Sequence, residues 1–87
     1  MKIKDGFILR EVAGNKVVLA VGKRAEEFNG VINLSGSAAD IWKLLQKQTS
    51  EEEVLAGMKE LYDVDDETLK HDIKAFIDKL TEAGLLE

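Results

Sequence analysis

His71 is the one histidine of the chain, and Lys70 and Asp72 flank it. A histidine beside a carboxylate is a pairing that a general base uses. His71 falls off the Leu69–Ile73–Phe76 face of its segment, however, and an exposed polar residue accounts for it without a ligand or a base. Two carboxylate clusters, Glu51-Glu52-Glu53 and Asp63, Asp65 and Asp66, invite acid/base work or cation binding. The aspartates stand at alternate positions but lack the glycine and distal glutamate of a calcium loop. Helix capping explains both clusters. With no cysteine and a single histidine, disulfides, thiolate chemistry and the usual zinc sites are excluded. Gly22, Gly30 and Gly36 are isolated and form no phosphate-binding loop. No nucleophile–base pair remains. The expectation is a protein that is not an enzyme, with no metal site and no cofactor.

The elements that would position any site divide at Asn33–Leu45. Apolar residues before this stretch recur with a period near two, and after it near three and a half, which marks a change from strand to helix. Phe7–Val12 and Lys16–Gly22 read as strands joined by a tight Gly14-Asn15 turn, an antiparallel hairpin. Met1–Gly6 reads as a lead-in and Lys23–Glu27 as a solvated loop. Phe28–Leu34 reads as a third strand, interrupted by a turn or bulge at Asn29-Gly30. Ile32 and Leu34 point to one side of it, Val31 and Asn33 to the other.

Three helices follow. The first spans about Ser37–Gln46, capped by Ser35 or Ser37, with Asp40 in its first turn and Ile41, Trp42, Leu44 and Leu45 buried. Trp42 shares a face with Leu45 and reads as core rather than as a ligand platform. The second starts at Thr49 or Ser50, each matched by a glutamate at capping-box spacing. Its Gly57 costs about 1 kcal/mol against alanine, which close packing at that point would explain. The third is capped by Asp65 or Asp66, carries Leu69, Ile73, Phe76, Ile77 and Leu80 at helical spacing, and ends at Gly84, with Leu85 and Leu86 folding back. A three-stranded sheet has one face to bury and the helices must cover it. The fold class is α+β, winged-helix-like, with an N-terminal three-stranded antiparallel sheet followed by three helices, as one domain over 1–87.

Length and composition agree. Eighty-seven residues with ordinary apolar content and no proline suit one modest core rather than a disordered chain. No signal peptide is visible and the apolar runs are too short to span a membrane; a cytoplasmic location is expected. The net charge of −5 disfavours nucleic acid, which needs a basic face.

An ordered set of short patterns resembles a known family. These are Asn33-Leu34-x-Gly36, Ile41-Trp42-x-Leu44-Leu45, Thr49-x-Glu51-Glu52, Leu61-Tyr62-Asp63-Val64-Asp65, and Asp72-Ile73-x-x-Phe76-Ile77-x-x-Leu80-x-x-x-Gly84-Leu85. In order and spacing, over nearly the whole chain, they are similar to the PqqD-like family, peptide-recognition elements for ribosomally made, post-translationally modified peptides. Members serving pyrroloquinoline quinone synthesis tend to carry an acidic-Gly turn after the first helix. Here that position reads Gln46-Lys47-Gln48, so the resemblance is to the broad family and the peptide served stays open.

The resemblance implies that a precursor's leader peptide adds as a strand at the edge of the third strand and packs on the third helix. A modifying enzyme, often a radical SAM enzyme, then receives it; in lasso-peptide clusters the partner includes a leader protease. A three-strand meander leaves such an edge free, and an added strand satisfies its backbone groups. The implied contact residues are Val31, Ile32, Asn33 and Leu34 on the strand, with Leu69, Ile73 and Phe76 as an apolar wall and Lys70 and Lys74 at its rim. Leu69 and Ile73 serve equally as core, and Phe76 reads as core. Lys70 and Lys74 equally suit i,i+4 pairs with Asp66 and Asp78. Asp72 either receives a leader backbone or basic group or aids solubility. The chain is expected as a monomer or a strand-exchanged dimer. The competing reading is a DNA-binding winged helix, whose recognition helix would be the second or the third and needs exposed Arg or Lys; the second helix offers only Lys59 beside Glu51, Glu52, Glu53 and Glu60.

Overall fold

The computed structural model describes residues 1–28 and 30–87. Alternating apolar residues form β1 (Phe7–Val12) and β2 (Asn15–Ala20), paired antiparallel from Phe7 with Ala20 to Val12 with Asn15. The turn between them is Ala13-Gly14, one residue earlier than the sequence suggested. Both residues take positive φ, 52° and 81°, which is the backbone that matches strand twist in a two-residue hairpin. Asn15 is already in the ladder. β3 (Val31–Leu34) pairs antiparallel with β2, giving the order β1-β2-β3. It starts three residues later than predicted. Of the Asn29-Gly30 turn, Asn29 lies outside the described residues, and Gly30 has φ +104°.

The segment read as a solvated loop contains a one-turn helix, α1 (Arg24–Glu27). Its composition gave no apolar period because contacts elsewhere hold it. Arg24 donates from Nε to the Asp5 carbonyl at 3.1 Å and lies over the Phe7 ring, 5.6 Å from its centroid. Phe28, just after α1, meets Phe7 edge-on with centroids 5.4 Å apart.

The helical half comprises α2 (Gly36–Leu44), α3 (Glu51–Leu61) and α4 (Asp66–Ala83). Ser35 occupies the N-cap position of α2, but its hydroxyl makes no capping bond, and no acid lies in the first turn. Asp40 sits one turn further on, and accepts a hydrogen bond from the Tyr62 hydroxyl instead. Ser50 caps α3 through the Glu53 N–H at 3.2 Å, and Asp65 caps α4 through the Thr68 N–H at 3.1 Å. Gly84 closes α4 with φ +80°, and the Leu85 N–H returns to the Leu80 carbonyl at 2.9 Å. These bonds satisfy backbone groups that a helix end leaves free.

One core joins the halves. Val18 and Leu34 of the sheet meet Ile41, Trp42 and Leu45 of the α2 region, Val54 and Met58 of α3, and Leu69, Ile73, Phe76, Ile77 and Leu80 of α4. The lead-in belongs to it as well. Ile3 is 3% exposed and bridges to Leu86. Its N–H donates to Leu45 O at 3.0 Å, and the Glu87 N–H donates to Lys2 O at 2.9 Å. Burying Ile3 contributes about 2 kcal/mol, yet a lone isoleucine among lysines has no period to read. Gly57 packs closely, as anticipated: a Cβ there would come within 3.0 Å of both Leu44 methyls.

Candidate functional site

β3 has β2 on one side, and among the described residues no strand pairs on the other. The C-terminal segment lies against the lead-in, with Leu86 bridged to Ile3. Within β3, Leu34 is buried and Ile32 half-buried, while Val31 and Asn33 are exposed. The strand contains no charge and no proline, two devices that natural edges use against pairing. The opposite edge, β1, carries Arg10 and Glu11 at mid-strand.

Beside β3 runs a cleft of about 550 Å³. Three elements line it. β3 and its exit give Asn33, Leu34 and Ser35; α2 gives Ser37, Ala38 and Ile41; α4 gives His71, Asp72, Ala75, Phe76 and Lys79. The α4 residues stand at i, i+1, i+4, i+5 and i+8, a single stripe of the helix. Leu34, Ala38, Ile41, Ala75 and Phe76 make an apolar lining, and Asp72, Lys79 and His71 supply polar groups. The N–H groups of Gly36, Ser37 and Ala38 precede the first intrahelical bond of α2, from Ala39 N to Ser35 O, and so have no partner within the helix.

Of the ten residues singled out from the sequence, Asn33, Leu34, Asp72 and Phe76 line this cleft. Val31 and Ile32 lie on the same strand. Leu69 and Ile73 are core, 5% and 2% exposed, and Phe76 is core at 8% while touching the cleft. Lys70, Ile73 and Lys74 border a different cleft, with Glu51, Glu52 and Leu55 of α3. Their mean direction lies nearly half a turn round α4 from that of the stripe lining the first cleft. Lys74 approaches Asp78 at 4.0 Å, the anticipated i,i+4 pair. Asp66 pairs with Lys59 at 3.1 Å rather than with Lys70. As cleft residues, sequence reasoning passed over Ala38, Ala75 and Lys79, read Ser35 and Ser37 as caps and Ile41 as core, and set His71 aside. The signal for Ala75 and Lys79 was present, since both follow from Asp72 and Phe76 by helical spacing.

The groups with displaced proton affinities lie outside the cleft. The Asp40 hydrogen bond, with some desolvation and the Asp40 charge, raises the Tyr62 phenol above its usual range. Hydrogen bonds from Thr68 hold the Asp65 carboxyl below the usual range. Among the described residues no three His, Cys, Asp or Glu side chains gather as a metal site would require, and no helix is long and apolar enough to cross a membrane.

A family model described as coenzyme PQQ synthesis protein D (PqqD) matches residues 15–86, from the start of β2 to the residue that bridges Ile3. The chain belongs to the PqqD family. A solved structure, "TbiB1 in Complex with the TbiA(beta) Leader Peptide", is similar over 100% of this chain and 95% of its own, with a TM-score of 0.76 and 26% identity. No curated protein matches the sequence. The PqqD-like resemblance read from the ordered patterns is therefore shown, and with it the α+β arrangement of a three-stranded antiparallel sheet and covering helices.

Proposed function

We propose that this PqqD-family chain is a non-catalytic peptide-binding protein that takes the leader of a ribosomally made precursor and presents it to a modifying enzyme. The observation that carries this reading is the uncharged, unpaired edge of β3 beside a cleft with an apolar lining. An extended peptide added at that edge gains main-chain hydrogen bonds from β3. Its alternate side chains enter the cleft between β3, α2 and α4. Val31, Ile32, Asn33 and Leu34 supply the ladder; Asp72 and Phe76 contact the guest from α4. Leu69 and Ile73 support the wall from within, and Lys70 and Lys74, which border the cleft against α3, lie off the guest's path. The PqqD-family match supports the reading, as does the complex of the similar TbiB1 structure with a leader peptide. The family resemblance favours a radical SAM enzyme as the recipient. Gln46-Lys47-Gln48 in place of an acidic-Gly turn favours a product other than pyrroloquinoline quinone.

DNA binding has less support. The first turn of α3 is three glutamates, and its Lys59 is engaged by Asp66, which leaves that helix little for phosphates; on α4, Lys70, Lys74 and Lys79 are interspersed with Asp66, Glu67, Asp72, Asp78 and Glu82.

The test is a titration of the isotope-labelled chain with the precursor peptide encoded beside its gene. Amide shifts in β3 and over 71–79, at micromolar or tighter affinity, are expected. Val31→Pro should abolish binding, because proline removes a ladder donor and distorts the edge. Shifts confined to α3, with β3 and α4 unmoved, would refute the assignment.

A further inference from the structure

The stripe of α4 that lines the cleft beside β3 is apolar in the middle and charged towards both ends. Asp72 and Lys79 line that cleft and are exposed. They stand seven positions apart on α4, which is two turns and about 10.5 Å along one side of the helix. Between them lie Ala75 and Phe76, which share the cleft with Leu34, Ala38 and Ile41. The β3 and α2 walls bring no charged side chain, so the cleft holds one carboxylate and one ammonium, with His71 next to the carboxylate. Neither Asp72 nor Lys79 forms an ion pair among the described residues. The residues three and four positions from Asp72 are Thr68, Leu69, Ala75 and Phe76, so α4 offers it no cation at the spacing where helix side chains meet. Elsewhere on α4, Asp66 pairs with Lys59 and Asp78 with Lys74.

We propose that Asp72 and Lys79 decide which peptides the cleft accepts: a guest with a basic and an acidic residue four positions apart and an apolar residue midway. This rests on the reading in which a leader adds at β3, and gives that leader a chemical class. Side chains of an added strand enter the cleft at every second position, about 6.7 Å apart. One such step falls short of the distance from Asp72 to Lys79. Two steps span about 13 Å, and the flexible lysine stem takes up the difference. The middle side chain of the three then falls on Ala75 and Phe76. The basic one meets Asp72 and the acidic one meets Lys79.

Cover by the guest is what makes these two groups selective. In the open cleft both are solvated. A seated peptide removes part of that water, and a charge covered without a partner is costly. An opposite charge on the guest offsets the loss, and a like charge adds repulsion to it. The chain as a whole carries a net charge of −5, which by itself draws any basic peptide. The cleft is balanced, one acid against one base, so it sorts guests by the order of charges along them rather than by their sum.

The test uses the full chain, the precursor peptide encoded beside its gene, and the variants Asp72→Lys, Lys79→Glu and Lys70→Glu. Lys70 is exposed on α4 but borders the other cleft, so Lys70→Glu makes the same change of net charge as Lys79→Glu away from the guest. Fluorescence polarisation should show peptide binding about tenfold or more weaker in Asp72→Lys and in Lys79→Glu, and within about twofold of the wild type in Lys70→Glu. Glutamate in place of the guest's basic residue should restore most of the loss in Asp72→Lys. Lysine in place of its acidic residue should do the same for Lys79→Glu. Should a charge reversal impair folding, Asp72→Asn and Lys79→Gln remove each charge at an exposed position and should weaken binding about fivefold. Cleft variants that bind no worse than Lys70→Glu overturn the proposal, as do losses that the exchanged peptides fail to recover. So does a peptide that binds at β3 without the two charges at that spacing. Absence of binding to the wild type is a different result, which overturns the leader reading itself and the charge rule with it.

Discussion

The Tyr62 hydroxyl donates a hydrogen bond to the Asp40 carboxylate, tying the end of α3 to the middle of α2. Each residue has a different part in the sequence pattern, one apolar and one polar, and neither announces the other. The bond keeps the phenol protonated to higher pH than usual. Tyr62 is the one tyrosine of the chain, so ultraviolet titration of phenolate reads it directly. The midpoint should lie above the ordinary tyrosine value of about 10 and fall back in Asp40→Asn. Because the folded value is raised, the stabilisation is whole below the unfolded value and is lost as pH rises through the folded one. An Asp40→Asn midpoint equal to the wild type would show that the bond does not form.

Asp65 behaves in the opposite sense. Its carboxylate accepts from the Thr68 N–H at 3.1 Å and from the Thr68 hydroxyl at 2.8 Å, and its affinity for a proton is lowered. The capping contribution is therefore complete above the ordinary aspartate value of about 3.9 and is lost as pH falls through the lower folded value. Asp65→Asn keeps an acceptor at the cap but removes the charge. Thermal melts between neutral pH and the acid limb should show a shallower acid dependence for Asp65→Asn. Asp65→Ala should melt lower at every pH.

Gly57 and Leu44 set the spacing of α3 against α2. A Cβ at residue 57 meets both Leu44 methyls at 3.0 Å, but those methyls end a half-buried side chain that can shift. Gly57→Ala gains about 1 kcal/mol of helix propensity and loses a similar amount in crowding, so its stability should stay near that of the wild type. Gly57→Leu overfills the contact and should lose roughly 1–3 kcal/mol. Chemical denaturation distinguishes the two, and a Gly57→Leu protein as stable as the parent would show that the helices separate freely.

Ala75 is exposed on the α4 stripe that lines the cleft. Ala75→Trp places a large ring into that space from an exposed position, against the cleft-facing surfaces of Leu34, Ile41 and Phe76 and without displacing them. Peptide affinity, read by fluorescence polarisation, should drop about tenfold or more, with the melting temperature unchanged. Full affinity in this variant would put the guest's side chains elsewhere.

The elements written into short stretches of sequence were legible: the hairpin, the caps at Ser50 and Asp65, the stop at Gly84 and the inward side of α4. Each depends on neighbours within a turn or a strand pair. What escaped depends on partners far along the chain. Ile3 is core because Leu86 returns to it, and α1 exists because Arg24 finds Asp5 and Phe7. The cleft was half visible for the same reason. Asp72 and Phe76 were named from the pattern, but only the packing of α4 on α2 shows that His71, Ala75 and Lys79 share their side while Lys70 and Lys74 do not.

The two borders of the sheet are unlike, with Arg10 and Glu11 on one and an uncharged Val-Ile-Asn-Leu run on the other. A guest seated on the second becomes the new rim, and its own far side is then bare. Whether a loaded complex stays discrete or stacks into ribbons thus passes from host to guest. A lysine or proline midway along the guest would halt growth, and a guest lacking both would leave the assembly open to further layers.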